Sequence, residues 1–146
     1  YAVRRRHKRP QKIVQVSLCL LKDISKRRTK YEVRSTMVAP ATYCYWSNSL
    51  RTSFDLDVYN WFRYEAMNDA RTGDMYGMQC LFRFYSYGLE KNFKSGIFQD
   101  FQEYVLMDCE AGNTYGIEKL WAFMHYSKRR PEVMPSIKEY LVRWLV

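Results

Sequence analysis

Histidine is nearly absent from this 146-residue chain, and glycine, proline and cysteine are sparse: two His, six Gly, four Pro and four Cys. His7 and His125 sit in unrelated contexts, and Cys19, Cys44, Cys80 and Cys109 form no CxxC pair. That spacing argues against a zinc site or a secreted disulfide framework, so no metal or cofactor is expected. Reduced, mostly buried thiols fit an intracellular protein, and a cytoplasmic one is expected. The glycines never cluster into a phosphate loop, and His125 has no nucleophile near it in sequence, so an enzyme is not expected. No segment alternates with period two and no Asn-Gly or Asp-Gly pair occurs, which excludes the usual hairpin signals. No apolar run approaches the roughly 18–20 residues of a membrane span. The chain opens Tyr1-Ala-Val, with neither a methionine nor a signal-peptide core, as expected of a piece of a longer protein.

What the chain does have is charge at one end and aromatic residues throughout. Its net charge is +9 and 17% of its residues are aromatic. Residues 1–40 carry 12 Lys/Arg against Asp23 and Glu32 only, a local net of +10, and the remainder, with 12 basic and 13 acidic residues, is −1. Arg4-Arg5-Arg6-His7-Lys8-Arg9 and Lys26-Arg27-Arg28 read as phosphate-attracting segments. A solvated arm or a nuclear address signal is the alternative reading of residues 1–12.

The apolar residues recur at helical spacing. Val14, Leu18, Leu21 and Ile24 predict a helix over 13–30. Trp46 and Leu50 mark a second over 41–53. Asp55 caps a third over 56–71, with Val58, Trp61, Phe62 and Ala66 facing inward and Gly73 ending it. A fourth over 75–92 carries the stripe Met78, Leu81, Phe82, Tyr85 and Leu89. A fifth over 96–110 has Ile97, Phe98, Phe101, Val105 and Leu106. A sixth over 114–129 has Ile117, Leu120, Trp121 and Met124. Pro135 suits the start of a last helix, with Ile137, Leu141 and Trp144.

Two stretches share one pattern. Asp69, Gly73, Tyr76, Gly77, Phe84 and Tyr87 recur 39 residues on as Asp108, Gly112, Tyr115, Gly116, Phe123 and Tyr126. Ser47, Leu50 and Phe54 match Ser86, Leu89 and Phe93 at the same offset. A period near 40 marks a helical repeat. The expected fold is all-α: a short solenoid of about three HEAT-like hairpins, with units of about 13–54, 55–93 and 94–130 and a capping helix over 135–146. Residues 1–12 would be a basic arm.

At 100° per residue, Arg83, Tyr87 and Glu90 fall opposite the apolar stripe of their helix, and Tyr126 falls opposite the stripe of its own. Adjacent packed helices lie roughly 8–10 Å apart, leaving a slot about one ring thick between two such tyrosines. A purine stacked there gains roughly 1–3 kcal/mol per base, and a cationic base adds a cation–π attraction. Glu90 suits the two adjacent donors of a guanine edge, and Arg83 suits phosphate. The same pattern also fits a plain packing or protein-binding surface, with Arg83 on Tyr87 and Glu90 paired to a lysine.

Leu81-Phe-Arg-Phe-Tyr-Ser-Tyr-Gly-Leu-Glu-Lys91, then Ile97-Phe-Gln-Asp-Phe-Gln-Glu103 and Tyr115-Gly-Ile-Glu-Lys-Leu-Trp-Ala-Phe-Met-His-Tyr-Ser-Lys128, resemble the C-terminal cap-binding repeats of the La-related protein 1 family. The resemblance covers about residues 41–130 and is close over 69–128. It implies a non-catalytic HEAT-like module that binds the 7-methylguanosine cap of messages with a 5′-terminal oligopyrimidine tract. Such a module hides the cap from the cap-binding initiation factor and represses translation. It implies that Tyr87 and Tyr126 sandwich the methylated guanine, Glu90 reads its edge, Arg83 contacts the phosphate bridge and Ser86 lines the site. The partner is then the capped 5′ end of mRNA, bound by a monomeric domain away from any membrane. A HEAT-like protein–protein adaptor is the alternative.

The first repeat departs from the family. There an arginine and an aromatic help hold a cytidine as first transcribed nucleotide, and here Cys44 and Asn48 stand in their places. Arg51 matches a basic position, and Lys128 and Arg129 are further candidates for phosphate contact. Cysteine brings no cation and asparagine no stacking face. Affinities for capped RNAs beginning with C and with G should therefore differ less than the family pattern implies, and a strong preference for C would contradict that expectation.

Overall fold

A computed structural model describes residues 38–145. The helix expected over 13–30 and the basic arm over 1–12 lie outside them. The described residues form six α-helices and no strand: α1 (Pro40–Thr52), α2 (Leu56–Arg71), α3 (Tyr76–Lys91), α4 (Ser95–Glu110), α5 (Tyr115–Tyr126) and α6 (Pro135–Leu145). The fold is all-α and HEAT-like, built of helical hairpins. No described helix is long and apolar enough to cross a membrane. The chain divides into two compact units, one running through Leu81 and the other from Phe82 onward.

Local chemistry sets the helix ends. Asp55 Oδ1 accepts from the backbone N–H of Asp57 at 2.8 Å and of Val58 at 3.2 Å, satisfying two orphan donors of α2. Both α2 and α4 end on a glycine with positive φ, +99° at Gly73 and +89° at Gly112. The amide of Asp74 then donates back to the Asp69 carbonyl and that of Asn113 to the Asp108 carbonyl, each at 3.0 Å, closing a Schellman turn. Pro40 and Pro135 stand at the first positions of α1 and α6, where a missing N–H costs nothing.

In the first unit, Phe62 of α2 packs against Tyr43 and Trp46 of α1, with ring centroids about 6 Å apart. In the second, Tyr85 stacks on Phe101 of α4 at 4.9 Å, and Phe98 packs on Phe123 of α5 at 5.5 Å. Helix α6 lies against α4 and α5, with Ile137 fully buried. All five members of the α3 stripe, Met78, Leu81, Phe82, Tyr85 and Leu89, are buried as the periodicity predicts.

Two expectations are corrected. Trp61 is 48% exposed, packed edge-on against Tyr64 instead of facing inward. The inner stripe of α2 runs through Tyr59, Phe62, Ala66 and Met67, which turns Trp61 outward. The helix expected over 114–129 stops at Tyr126, because Ser127 adopts an extended conformation (φ −77°, ψ 144°). The Arg130 guanidinium then caps α5 by donating to the carbonyls of Met124 and Ser127, the latter at 3.0 Å.

The recurring glycines of the 39-residue pattern mark close approaches. A Cβ on Gly77 would stand 2.6 Å from Cζ of Tyr43, and one on Gly116 would stand 2.9 Å from Cζ of Phe82. Tyr43 and Phe82 are themselves 39 residues apart. Each repeat thus seats an aromatic ring of one helix on the first turn of a later one. The recurring aspartates stand behind this contact. Tyr43 Oη donates to Asp69 at 2.6 Å, while Asp108 accepts from the Gly116 amide at 2.8 Å and from Asn113 at 3.1 Å. Burial, followed by the hydrogen bond to Asp69, pushes the Tyr43 phenol well above its ordinary range. The hydroxyl anchors the Tyr43 ring, so it cannot swing aside for an added methyl group. Gly77→Ala should cost about 1–3 kcal/mol, as overpacking does. A urea melt checks this, and an unshifted midpoint would contradict it.

Candidate nucleic-acid interface

The second unit contains all the residues of the expected cap site. Arg83, Ser86, Tyr87 and Glu90 lie on α3 beyond Leu81, and Tyr126 ends α5. Burying Phe82, Tyr85 and Leu89 turns Tyr87 and Glu90 outward. Tyr87 is 43% exposed and Tyr126 67%, large apolar rings that the core does not claim. Ser86, by contrast, is only 2% exposed, so it sits beneath this surface.

An open cleft of about 580 Å³ lies where the end of α3 meets the end of α5. Glu90, Lys91 and Phe93 line it from one side, and Tyr126, Lys128 and Arg129 from the other. Helix α5 stops at Tyr126, so the chain turns there and brings Lys128 and Arg129 to the rim. The Arg129 guanidinium lies over the Phe93 ring at 4.7 Å, a cation–π contact that holds the side chain along the wall. Tyr126 meets the His125 ring edge to face at 4.7 Å, and His125 stacks on Trp121 at 4.7 Å with 13° between planes. The cleft therefore combines an exposed phenol ring, one carboxylate and three cationic side chains.

Tyr87 is not among the residues lining the cleft. It stands one turn before Glu90 on the same helix, and positions i and i+3 are surface neighbours. Arg83 is half-buried and donates to Tyr115 Oη at 2.9 Å. That contact was not legible in the sequence, although Tyr115 had been visible as a member of the repeat. Arg129 on Phe93 is a second contact the spacing did not reveal.

The first unit holds the three remaining candidates on α1. Cys44 Sγ lies 3.1 Å from Tyr76 Oη. Residues 44 and 76 are the repeat equivalents of 83 and 115, so a thiol meets the first tyrosine where a guanidinium meets the second. Asn48 stands where the repeat places Tyr87, and its Oδ1 accepts from the Arg51 guanidinium. Both side chains are exposed. The face of α1 thus presents a short polar pair where α3 presents a ring.

A family model described as the LARP1 HEAT repeat region matches residues 16–145. None of the curated proteins compared with the chain matches it.

Hydrogen bonds to Cys44 and then Cys80 push the Tyr76 phenol up to about 12 from the usual 10.0. The folded value lies above the unfolded one. The stabilisation from these contacts is therefore complete below pH 10.0 and is lost as pH rises through about 12. Subtracting the phenolate absorbance of Tyr76→Phe from that of the parent chain should isolate a transition near 12. In a Cys44→Ala background it should fall toward 10.0, and an unmoved midpoint would contradict the assignment.

Proposed function

The chain belongs to the LARP1 HEAT repeat region family, and from that premise we propose that it is a non-catalytic module that binds the 7-methylguanosine cap of messenger RNA. The observation that carries the reading is the cleft at the ends of α3 and α5. There an exposed tyrosine, a carboxylate and basic side chains share one recess. These are the groups a capped 5′ end requires.

Methylation makes the guanine cationic. A cation over a tyrosine face gains about 0.5–2 kcal/mol as it is desolvated. Base stacking adds roughly 1–3 kcal/mol per base. Tyr126 supplies one ring, and Tyr87, exposed on the neighbouring turn of α3, supplies the other. Glu90 accepts from the ring N–H and the exocyclic amine of the base, a charge-assisted pair that a differently edged base does not match in full. Ser86, below the surface, supports this turn of α3. Arg83 meets the phosphate bridge, and Lys128 and Arg129 at the rim contribute further positive charge.

In the cell, binding of this kind would hide the cap from the cap-binding initiation factor. It would repress translation and protect the 5′ end of oligopyrimidine-tract messages in the cytoplasm. On α1, Arg51 is a further basic candidate for contact with RNA.

The test is to titrate 7-methyl-GTP and GTP into the parent chain, Tyr87→Ala and Tyr126→Ala. The parent should favour the methylated form at least tenfold, a difference of about 1.4 kcal/mol. Each tyrosine variant should lose most of that preference. Equal affinity for the two nucleotides would sink the cap reading, and binding to neither would leave the protein–protein adaptor in its place.

A further inference from the structure

Tyr126 is the last residue of α5, and the chain turns away at Ser127. No later turn of α5 covers its ring. One turn before it stands Ala122, where the other copy of the repeat places Arg83 before Tyr87, so its own helix offers only a methyl group there. The His125 imidazole meets the Tyr126 ring at 4.7 Å with 89° between planes, an edge-to-face contact. His125 in turn lies flat on Trp121, one turn earlier, at 4.7 Å and 13°. Trp121 leans on Trp144 of α6, with centroids 6.0 Å apart. Four rings thus run without a break from α6 to the rim of the cleft.

Packing does not demand this arrangement. Positions 43, 82 and 121 are equivalent in the repeat, as are 47, 86 and 125. In the earlier copies Tyr43 and Phe82 are fully buried, each seated against the glycine of a later helix, and Ser47 and Ser86 are buried one turn further on. In the third copy α6 follows instead, and it carries no glycine. Trp121 is only half-buried, against Trp144, and an exposed imidazole stands where the other copies have serine. An exposed histidine adds nothing to the core. Its ring does supply a wall beside Tyr126, which a serine could not.

We infer that His125 is a positioning residue for the cap-stacking ring: held flat on Trp121, it fixes the plane of Tyr126 before the nucleotide arrives. The inference rests on the cap-binding reading and adds to it a residue that touches no ligand. A phenol at a helix end turns about two side-chain bonds, and freezing those rotations on binding weakens affinity. The edge-to-face contact restricts them in the free protein, so the base meets a ring already in place. Trp121 and Trp144 brace His125 from behind, which ties the orientation of Tyr126 to the docking of α6. The role needs a flat ring at position 125 and not the imidazole nitrogens, so another aromatic side chain serves there.

The experiment titrates 7-methyl-GTP and GTP into the parent chain, His125→Ala, His125→Phe and Trp121→Leu, each checked for an unchanged melting temperature. His125→Ala should weaken both nucleotides roughly three- to tenfold, the range for ordering one side chain on binding. Because the ordering is common to both ligands, the preference for the methylated form should stay, unlike in Tyr126→Ala. His125→Phe should bind like the parent, and Trp121→Leu should weaken binding in the same direction as His125→Ala. A short capped pyrimidine RNA serves for the double variant His125→Ala/Tyr126→Ala, which should bind no more weakly than Tyr126→Ala alone. Unchanged affinity in His125→Ala would overturn the inference while a methyl preference in the parent left the cap reading intact. A loss that His125→Phe does not restore, a fall in methyl preference in His125→Ala, or an additive double variant would make His125 a ligand contact and remove its positioning role. A parent that binds neither nucleotide, or both equally, would overturn the cap reading and the inference with it.

Discussion

The Phe82 ring occupies the space a Cβ on Gly116 would need, and this close approach decides what the outer surface of the second unit can be. With only hydrogen at that position, the start of α5 comes up against α3. The Asp108 carboxylate holds it there through the Gly116 amide, so the contact is pinned by a buried charge-assisted hydrogen bond as well as by shape. Two helices held this close present their outer residues as one surface. Arg83 reaches the phenol of Tyr115 across the gap, and Glu90 and Tyr126 face the same cleft at the other end. The core contact and the site are two faces of one arrangement.

The first unit repeats the device with different chemistry. Tyr43 replaces Phe82, and its hydroxyl engages Asp69 directly. In the second unit phenylalanine has no hydroxyl, and Asn113 with the Gly116 amide takes over the carboxylate. The scaffold is thus tolerant of how the aspartate is satisfied, provided that it is satisfied and that the ring meets a glycine. The outer residues are free to diverge on this scaffold. Cys44 and Asn48 in one unit, Arg83 and Tyr87 in the other, are equivalent positions with opposed properties.

Much of this fold can be read from the sequence because its boundaries have local causes. Helix α2 runs over the expected 56–71 because Asp55 caps it and Gly73 stops it, signals within a few residues of the ends they set. The end of α5 depends on Arg130 folding back to the Met124 and Ser127 carbonyls, which the spacing of apolar residues does not encode. Trp61 misled for a related reason, since a helix with aromatic residues on several sides has no unique inner face until its partner is known. At the site, Tyr87 and Tyr126 were legible as outward-facing because the buried stripe of each helix was clear. The contacts of Arg83 with Tyr115 and of Arg129 with Phe93 link residues more than 30 positions apart, and they exist only once the hairpins have packed.

The central claim is that the outer ends of α3 and α5 hold a methylated guanine between two tyrosine rings. A crystal structure of the chain soaked with 7-methyl-GTP tests it most directly. The base should lie flat between Tyr87 and Tyr126, with Glu90 on its edge and the phosphates running toward Arg83. A nucleotide seated elsewhere, or a base that stacks on neither ring, would contradict it.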